Sequence, residues 1–136
     1  MNAATPQSVS MRADLSLRGL RLLVVEDEPL IAMMIATMLE DFGCLVVGPA
    51  GSVAHALDLI EREAIHGALL DVSLGGGRRS FPVAETLQQR EIPFVFVTGY
   101  GKAALIADFH DVSVLRKPFV ADHLRRIVSE SIAAAI

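Results

Sequence analysis

The feature that most constrains the fold is an alternation of short apolar segments with longer segments of helical periodicity. Residues 20–25 are apolar apart from Arg21, and residues 29–42 carry apolar side chains at helical spacing, with Pro29 in the first turn, where its missing N–H is not needed. Further strands are predicted at 45–47, 68–72, 93–97 and 112–116, and further helices after Ser52, from Pro82 to about residue 90 and from Phe119 to about residue 132. Residues 102–109 stand where another helix belongs, and we expect that helix to be short.

The strands in the middle of the chain are apolar on both faces, so both faces are expected to be buried. This requires helices on each side of the sheet and therefore predicts a parallel α/β fold. The length of 136 residues suits one domain. Residues 1–18 are mixed and polar, so we expect a flexible tail there and a single domain over residues 19–136.

Composition narrows the classes of protein that fit. With 52% hydrophobic and 21% charged residues the chain is expected to be globular. No apolar run reaches the roughly 18 residues that span a bilayer, and no basic start leads into an apolar block, so a cytoplasmic location is predicted. The formal net charge of −4 argues against nonspecific binding to nucleic acid. The single cysteine, Cys44, excludes an internal disulfide.

Polar residues stand at the predicted strand ends. In an open parallel sheet, chemistry collects at the carboxyl ends of the strands. The residues placed there are Glu26 and Asp27 after the first strand, Asp71 at the end of the third, Thr98 at the end of the fourth, and Lys117, followed by Pro118, at the end of the fifth.

These residue types together indicate phosphoryl chemistry with a metal ion. Two carboxylates 4 Å apart repel by about 4 kcal/mol at an effective dielectric constant of 20, and a divalent cation removes that conflict. Mg²⁺ prefers oxygen ligands and often binds one or two carboxylates plus a phosphate. A carboxylate such as Asp71 can act as a nucleophile and form an aspartyl phosphate. Mg²⁺ would bind one phosphoryl oxygen, Lys117 a second and the Thr98 hydroxyl a third, and Gly99 leaves room for the donor.

The ordered set Glu26-Asp27, Asp71, Thr98-Gly99 and Lys117-Pro118-Phe119 resembles the response-regulator receiver family of two-component signalling. The resemblance covers roughly residues 20–132. It implies a flavodoxin-like, doubly wound sheet with strand order 2-1-3-4-5. It also implies that Asp71 is the phosphoacceptor, that Glu26, Asp27, Asp71 and the backbone carbonyl of Ser73 bind Mg²⁺, and that the Lys117–Pro118 bond is cis.

The stretch Phe96-Val97-Thr98-Gly99-Tyr100 is similar to the FAT GUY subgroup of receivers, many of which are stand-alone domains. Three residues depart from the usual patterns: Val97 replaces Ala, Glu26 replaces the commoner Asp, and Val114 stands where many receivers carry an aromatic switch. With Thr98 as one switch residue, we hypothesise that Tyr100 takes part of the role of the missing aromatic side chain.

The resemblance implies a single-domain response regulator. Its phosphoryl donor would be a histidine kinase or a histidine phosphotransfer protein, and its output would pass through a protein-binding surface. No direct contact with nucleic acid or with a membrane is expected, and a homodimer is possible. It would be a signalling domain rather than an enzyme in turnover, with self-catalysed phosphorylation and slow dephosphorylation. Two alternatives stay open: a pseudo-receiver scaffold and a small aspartyl-phosphate phosphatase. The phosphatase is disfavoured because Ser73 stands where such enzymes place a second carboxylate.

Overall fold

The computed structural model describes residues 15–99 and 109–136. These residues form a five-stranded parallel sheet with strand order β2-β1-β3-β4-β5. In chain order the elements are β1 (Arg21–Val25), α1 (Pro29–Asp41), β2 (Leu45–Ala50), α2 (Val53–Arg62), β3 (Gly67–Asp71), α3 (Phe81–Gln89), β4 (Phe94–Thr98), β5 (Val114–Arg116) and α4 (Ala121–Ser131), followed by a 3-10 turn (Ala133–Ala135). The predicted fold class and strand order are confirmed.

The two faces of the sheet are covered by different pairs of helices. Leu22 and Val24 of β1 point into a core shared with α1 and α4. Their neighbours Leu23 and Val25 point to the other face, where α2 and α3 pack. Since successive strand side chains alternate between faces, an uninterrupted apolar strand is buried on both sides. The central strands β3 and β4 are accordingly buried along their whole length.

Local sequence signals explain most element boundaries. Pro29 begins α1 as predicted. The Ser52 hydroxyl caps α2 by accepting a hydrogen bond from the His55 N–H at 3.1 Å. β2 runs to Ala50 rather than ending at residue 47, through Gly48 and Pro49 with a register shift against β1. β5 is shorter than predicted and begins at Val114, while α4 begins two residues later than predicted, at Ala121.

A cluster of phenylalanine rings joins α3 to the sheet. Phe81, at the start of α3, stacks on Phe109 with ring centroids 5.5 Å apart, and Phe96 of β4 meets both rings edge-on. Phe94 packs edge-on against Phe96 and Phe109. Phe109 lies in a 3-10 turn. The rest of the short helix predicted at 102–109 falls outside the described residues.

The described part of the chain begins inside the predicted tail. Residues 15–17 form one helical turn, and Leu17 is fully buried in the core shared with α1 and α4. The boundary at residue 19 remains a prediction, and the burial of Leu17 favours a packed unit that starts at or before this residue. Within the residues that the structure describes, every helix is too short or too polar to cross a bilayer.

Candidate phosphoryl-acceptor and metal site

The carboxyl ends of three strands bring the predicted site residues together. Asp71 is the last residue of β3, which lies between β1 and β4, and Glu26 and Asp27 directly follow β1. One carboxylate oxygen from each of these three residues lies within 4.8 Å of the others. Asp27 is the most exposed of the three, whereas Glu26 and Asp71 are buried. The separation and the oxygen-only donor set fit a hard divalent cation such as Mg²⁺.

Lys117 places one ammonium group between two of these carboxylates. Its Nζ lies 2.8 Å from Glu26 Oε1 and 3.1 Å from Asp71 Oδ2. The lysine side chain retains 22% exposure, while that of Glu26 retains 1%. The ammonium is thus held beside the two carboxylates, and Lys117 is not an ordinary surface lysine. Its backbone N–H donates to the Thr98 carbonyl at 2.9 Å, which fixes β5 beside the end of β4.

The charge balance of the site is visible in two pKa shifts. Burial raises the pKa of the Glu26 carboxyl, and the charge of Asp71 adds to the rise, against hydrogen bonds from Lys117 and the Glu28 N–H. Partial burial opposes the charged form of Lys117, but the hydrogen bonds to Glu26 and Asp71 prevail and raise the pKa of its ammonium. Three carboxylates against one ammonium leave an excess of negative charge, which a bound divalent cation would neutralise.

The two oxygens of Asp71 have different partners. Oδ2 accepts a hydrogen bond from Lys117, and Oδ1 accepts one from the Ser73 N–H at 3.2 Å. Both contacts orient the carboxylate at the end of β3. A carboxylate held in one orientation is suited to nucleophilic attack on phosphorus.

A glycine of the β3–α3 loop closes the acidic cluster on one side. A Cβ added to Gly75 would lie 2.8 Å from Asp27 Oδ2, and the φ angle of Gly75 is +78°. A larger residue would meet both a steric conflict and a strained backbone. Sequence reasoning did not predict this contact, although the run Gly75-Gly76-Gly77 was a signal for an unusual backbone.

The remaining predicted positions are placed as follows. Thr98 is buried at the end of β4, and the Lys117–Pro118 bond is cis, as the resemblance implied. Val114 is partly buried on β5 beside Phe96 and packs against the core of the α2 and α3 face. Tyr100, the hypothesised second switch residue, lies outside the described residues. Glu26 and Lys117 were both predicted at this edge of the sheet, but the direct ion pair between them was not predicted.

Comparison with known proteins agrees with this geometry. The family model of the response regulator receiver domain matches residues 22–129. The chain therefore belongs to the response-regulator receiver family, which carries signals in two-component systems. This confirms the family recognised from the acidic pair, Asp71, Thr98 and Lys117.

Individual relatives lie in the same family. The chain is 29% identical over 114 residues to the phyllosphere-induced regulator PhyR of Methylorubrum extorquens, covering 82% of this chain and 43% of that protein. The crystal structure of PhyR from Brucella abortus has a TM-score of 0.77 and 32% identity, covering 97% of this chain and 56% of that one. The chain thus spans about half the length of these two relatives.

The solution structure of SdrG from Sphingomonas melonis Fr1 is similar over almost its entire length. Its TM-score is 0.73 with 44% identity, covering 86% of this chain and 95% of SdrG. A BeF3-activated conformation of SdrG is also known, with a TM-score of 0.72 and 44% identity, covering 85% of this chain and 96% of that one.

Proposed function

We propose that this receiver domain accepts a phosphoryl group on Asp71 in a Mg²⁺-dependent reaction and thereby switches a protein-binding surface. One observation carries the proposal: at the carboxyl edge of the sheet three carboxylates converge within 4.8 Å of one another, and a lysine ammonium contacts two of them. In this proposal Glu26, Asp27, Asp71 and the Ser73 carbonyl hold the metal ion. When bound, Mg²⁺ neutralises negative charge on the carboxylates and on the phosphoryl group.

The chain's own groups account for the transfer. An Asp71 oxygen forms a bond to phosphorus while the bond from phosphorus to the donor's leaving group breaks, and the leaving group departs with that electron pair. Lys117, already 3.1 Å from Asp71 Oδ2, is placed to neutralise a phosphoryl oxygen. The Thr98 hydroxyl, at the end of the adjacent strand β4, is proposed to bind another oxygen and to move with it as the first switch residue.

The donor and the readout follow from the family. A receiver domain implies a histidine kinase or a histidine phosphotransfer protein as donor, and a protein partner is proposed for the output. Tyr100 remains the candidate second switch residue; if Tyr100→Ala leaves phosphorylation-dependent partner binding unchanged, that role is wrong. The known BeF3-activated conformation of SdrG supports the use of beryllofluoride as a phosphoryl mimic for this chain.

Beryllofluoride binding tests the proposal without a cognate kinase. We expect Mg²⁺ and beryllofluoride together to shift the amide NMR signals of residues around Asp71, Thr98 and Lys117 in the wild type. The same shifts should be absent in Asp71→Asn. Asp58→Asn is the matched control, since Asp58 is an exposed carboxylate of α2 paired with Arg62, and it should respond like the wild type.

Two results would contradict the proposal. An unchanged wild-type spectrum would favour the scaffold alternative, in which the site never carries a phosphoryl group. Equal shifts in Asp71→Asn would place the beryllofluoride elsewhere. Turnover of a small phosphate ester by the wild type would favour the phosphatase alternative instead.

A further inference from the structure

The β3–α3 loop contains two arginines that the proposed phosphoryl site does not use. Residues 73–79 form a tight hairpin, in which Ser73 and Arg79 pair as an antiparallel bridge. The Leu74 N–H donates to the Arg78 carbonyl at 3.0 Å, and the Arg78 N–H donates to the Gly75 carbonyl at 2.9 Å. The loop is therefore an ordered turn held by backbone hydrogen bonds.

Three consecutive glycines give this turn its shape. Gly75, Gly76 and Gly77 have φ angles of +78°, +58° and +77°, a region that side chains other than glycine rarely occupy. The turn touches the acidic site at Gly75, which lies against Asp27 Oδ2. Three residues further along it presents Arg78, which is exposed. Only three positions along the turn therefore separate the contact with the carboxylate cluster, at Gly75, from an exposed arginine, Arg78.

Neither guanidinium group has its charge balanced by an ion pair with a described residue. Neither Arg78 nor Arg79 forms an ion pair with the described carboxylates, although six other arginines and lysines do so. Among the described residues, Arg79 Nη1 donates only to the neighbouring Arg78 carbonyl, at 3.4 Å. Arg79 pairs with Ser73, whose N–H donates to Asp71, and the Arg78 N–H donates to the carbonyl of Gly75, which lies against Asp27. The turn therefore carries two positive charges next to the carboxylate cluster on a chain whose net charge is −4.

We infer that Arg78 and Arg79 attract the doubly negative phosphoryl group of the donor and thereby raise the rate at which Asp71 is phosphorylated. This inference rests on the proposed function. Without these charges an anionic donor would meet Glu26, Asp27 and Asp71, and among the described residues Lys117 alone forms an ion pair with this cluster. The shared chemistry of acyl phosphates and phosphohistidine is the anionic phosphoryl group, so the arginines would act on either source in proportion to its charge.

Acetyl phosphate is the first probe. In the reaction an Asp71 oxygen bonds to phosphorus, the bond between phosphorus and the acetyl oxygen breaks, and acetate leaves with the electron pair. At low ionic strength we expect the double variant Arg78→Gln/Arg79→Gln to be phosphorylated roughly three to ten times more slowly than the wild type. The difference should shrink as salt is added, because salt screens exposed charges.

Two variants separate charge from structure. Arg78→Lys/Arg79→Lys keeps the charge and should stay within about twofold of the wild type, since long-range steering depends on charge more than on guanidinium shape. Arg62→Gln removes one positive charge from the last residue of α2, at the opposite edge of the sheet, and should leave the rate unchanged. Thermal melting should show that all variants are folded.

Phosphoramidate is the second probe, because its P–N bond resembles that of phosphohistidine and it carries less negative charge than acetyl phosphate. The double glutamine variant should lose less rate with this donor. Equal losses with both donors, a loss that salt does not reduce, an equal loss in Arg62→Gln, or no loss at all would overturn the inference. If the wild type itself is not phosphorylated by either donor, the proposed function fails and the inference falls with it; a labelled wild type with unaffected variants removes the inference alone.

Discussion

At the scale of single residues, the key side chains of the site each have two hydrogen-bonding partners. Lys117 binds Glu26 and Asp71, while Asp71 binds Lys117 and the Ser73 N–H. Such shared contacts hold the Glu26 and Asp71 carboxylates in one orientation, and ligands that are already oriented can bind a metal ion with little rearrangement. The residue types were evident from the sequence, because Glu26, Asp27, Asp71 and Lys117 each follow or end an apolar strand. Their partners were not, because hydrogen bonds such as that from Ser73 depend on the loop backbone.

Cys44 illustrates how burial alone changes a titratable residue. Its thiol is 3% exposed, lies 3.5 Å from the Leu17 carbonyl oxygen, and has a pKa that burial raises from 9.0 to about 11. Between these two values the unfolded chain loses the thiol proton while the folded chain keeps it. The free energy of unfolding should therefore fall as the pH rises from 9 to 11, by up to about 2–3 kcal/mol from this group.

Urea unfolding at pH 8 and pH 10.5, compared between the wild type and Cys44→Ala, measures this effect. Other groups titrate in the same range, but they are common to both proteins. We expect the stability of the wild type to fall more steeply with pH than that of Cys44→Ala. Parallel pH dependences would contradict the burial of the thiol.

At the scale of secondary structure, the elements follow from local signals except where tertiary contacts decide. Pro29 and Ser52 start helices as predicted. By contrast, Gly48 and Pro49 are typical of a turn, yet β2 continues through them to Ala50 because β1 offers further pairing after a shift in register. The short β5 shows the opposite case, in which an apolar run at 112–116 pairs over only three residues.

Close packing of β3 against the end of α4 gives a prediction for Gly67. A Cβ added there would lie 2.4 Å from Ile132 Cγ2 and 3.2 Å from the Pro93 carbonyl oxygen. Gly67→Ala should therefore lower the free energy of unfolding by about 1–3 kcal/mol, because the buried Ile132 must move. Urea unfolding provides the measurement.

The double variant Gly67→Ala/Ile132→Ala is the control for this mechanism. Removing the Ile132 side chain eliminates the overlap, so the two substitutions together should cost less than the sum of their separate effects. Strict additivity, or a Gly67→Ala protein as stable as the wild type, would show that the two elements do not press on each other.

At the scale of the whole molecule, the parallel sheet accounts for the position of the site. Order β2-β1-β3-β4-β5 places β3 in the centre, so that Asp71 is flanked by the ends of β1 and β4. The alternation of apolar strands and helices sufficed to predict this arrangement of layers, and the family resemblance supplied the strand order. The contact between Gly75 and Asp27 was not predicted, since it depends on three successive left-handed glycines.

Mass spectrometry of the intact protein after incubation with acetyl phosphate tests the central claim most directly. The account predicts the addition of one phosphoryl group to the wild type, located on the peptide that contains Asp71, dependent on Mg²⁺ and absent from Asp71→Asn. A wild-type mass that does not change, a modification that persists in Asp71→Asn, or one that forms equally well after chelation of divalent ions would contradict it.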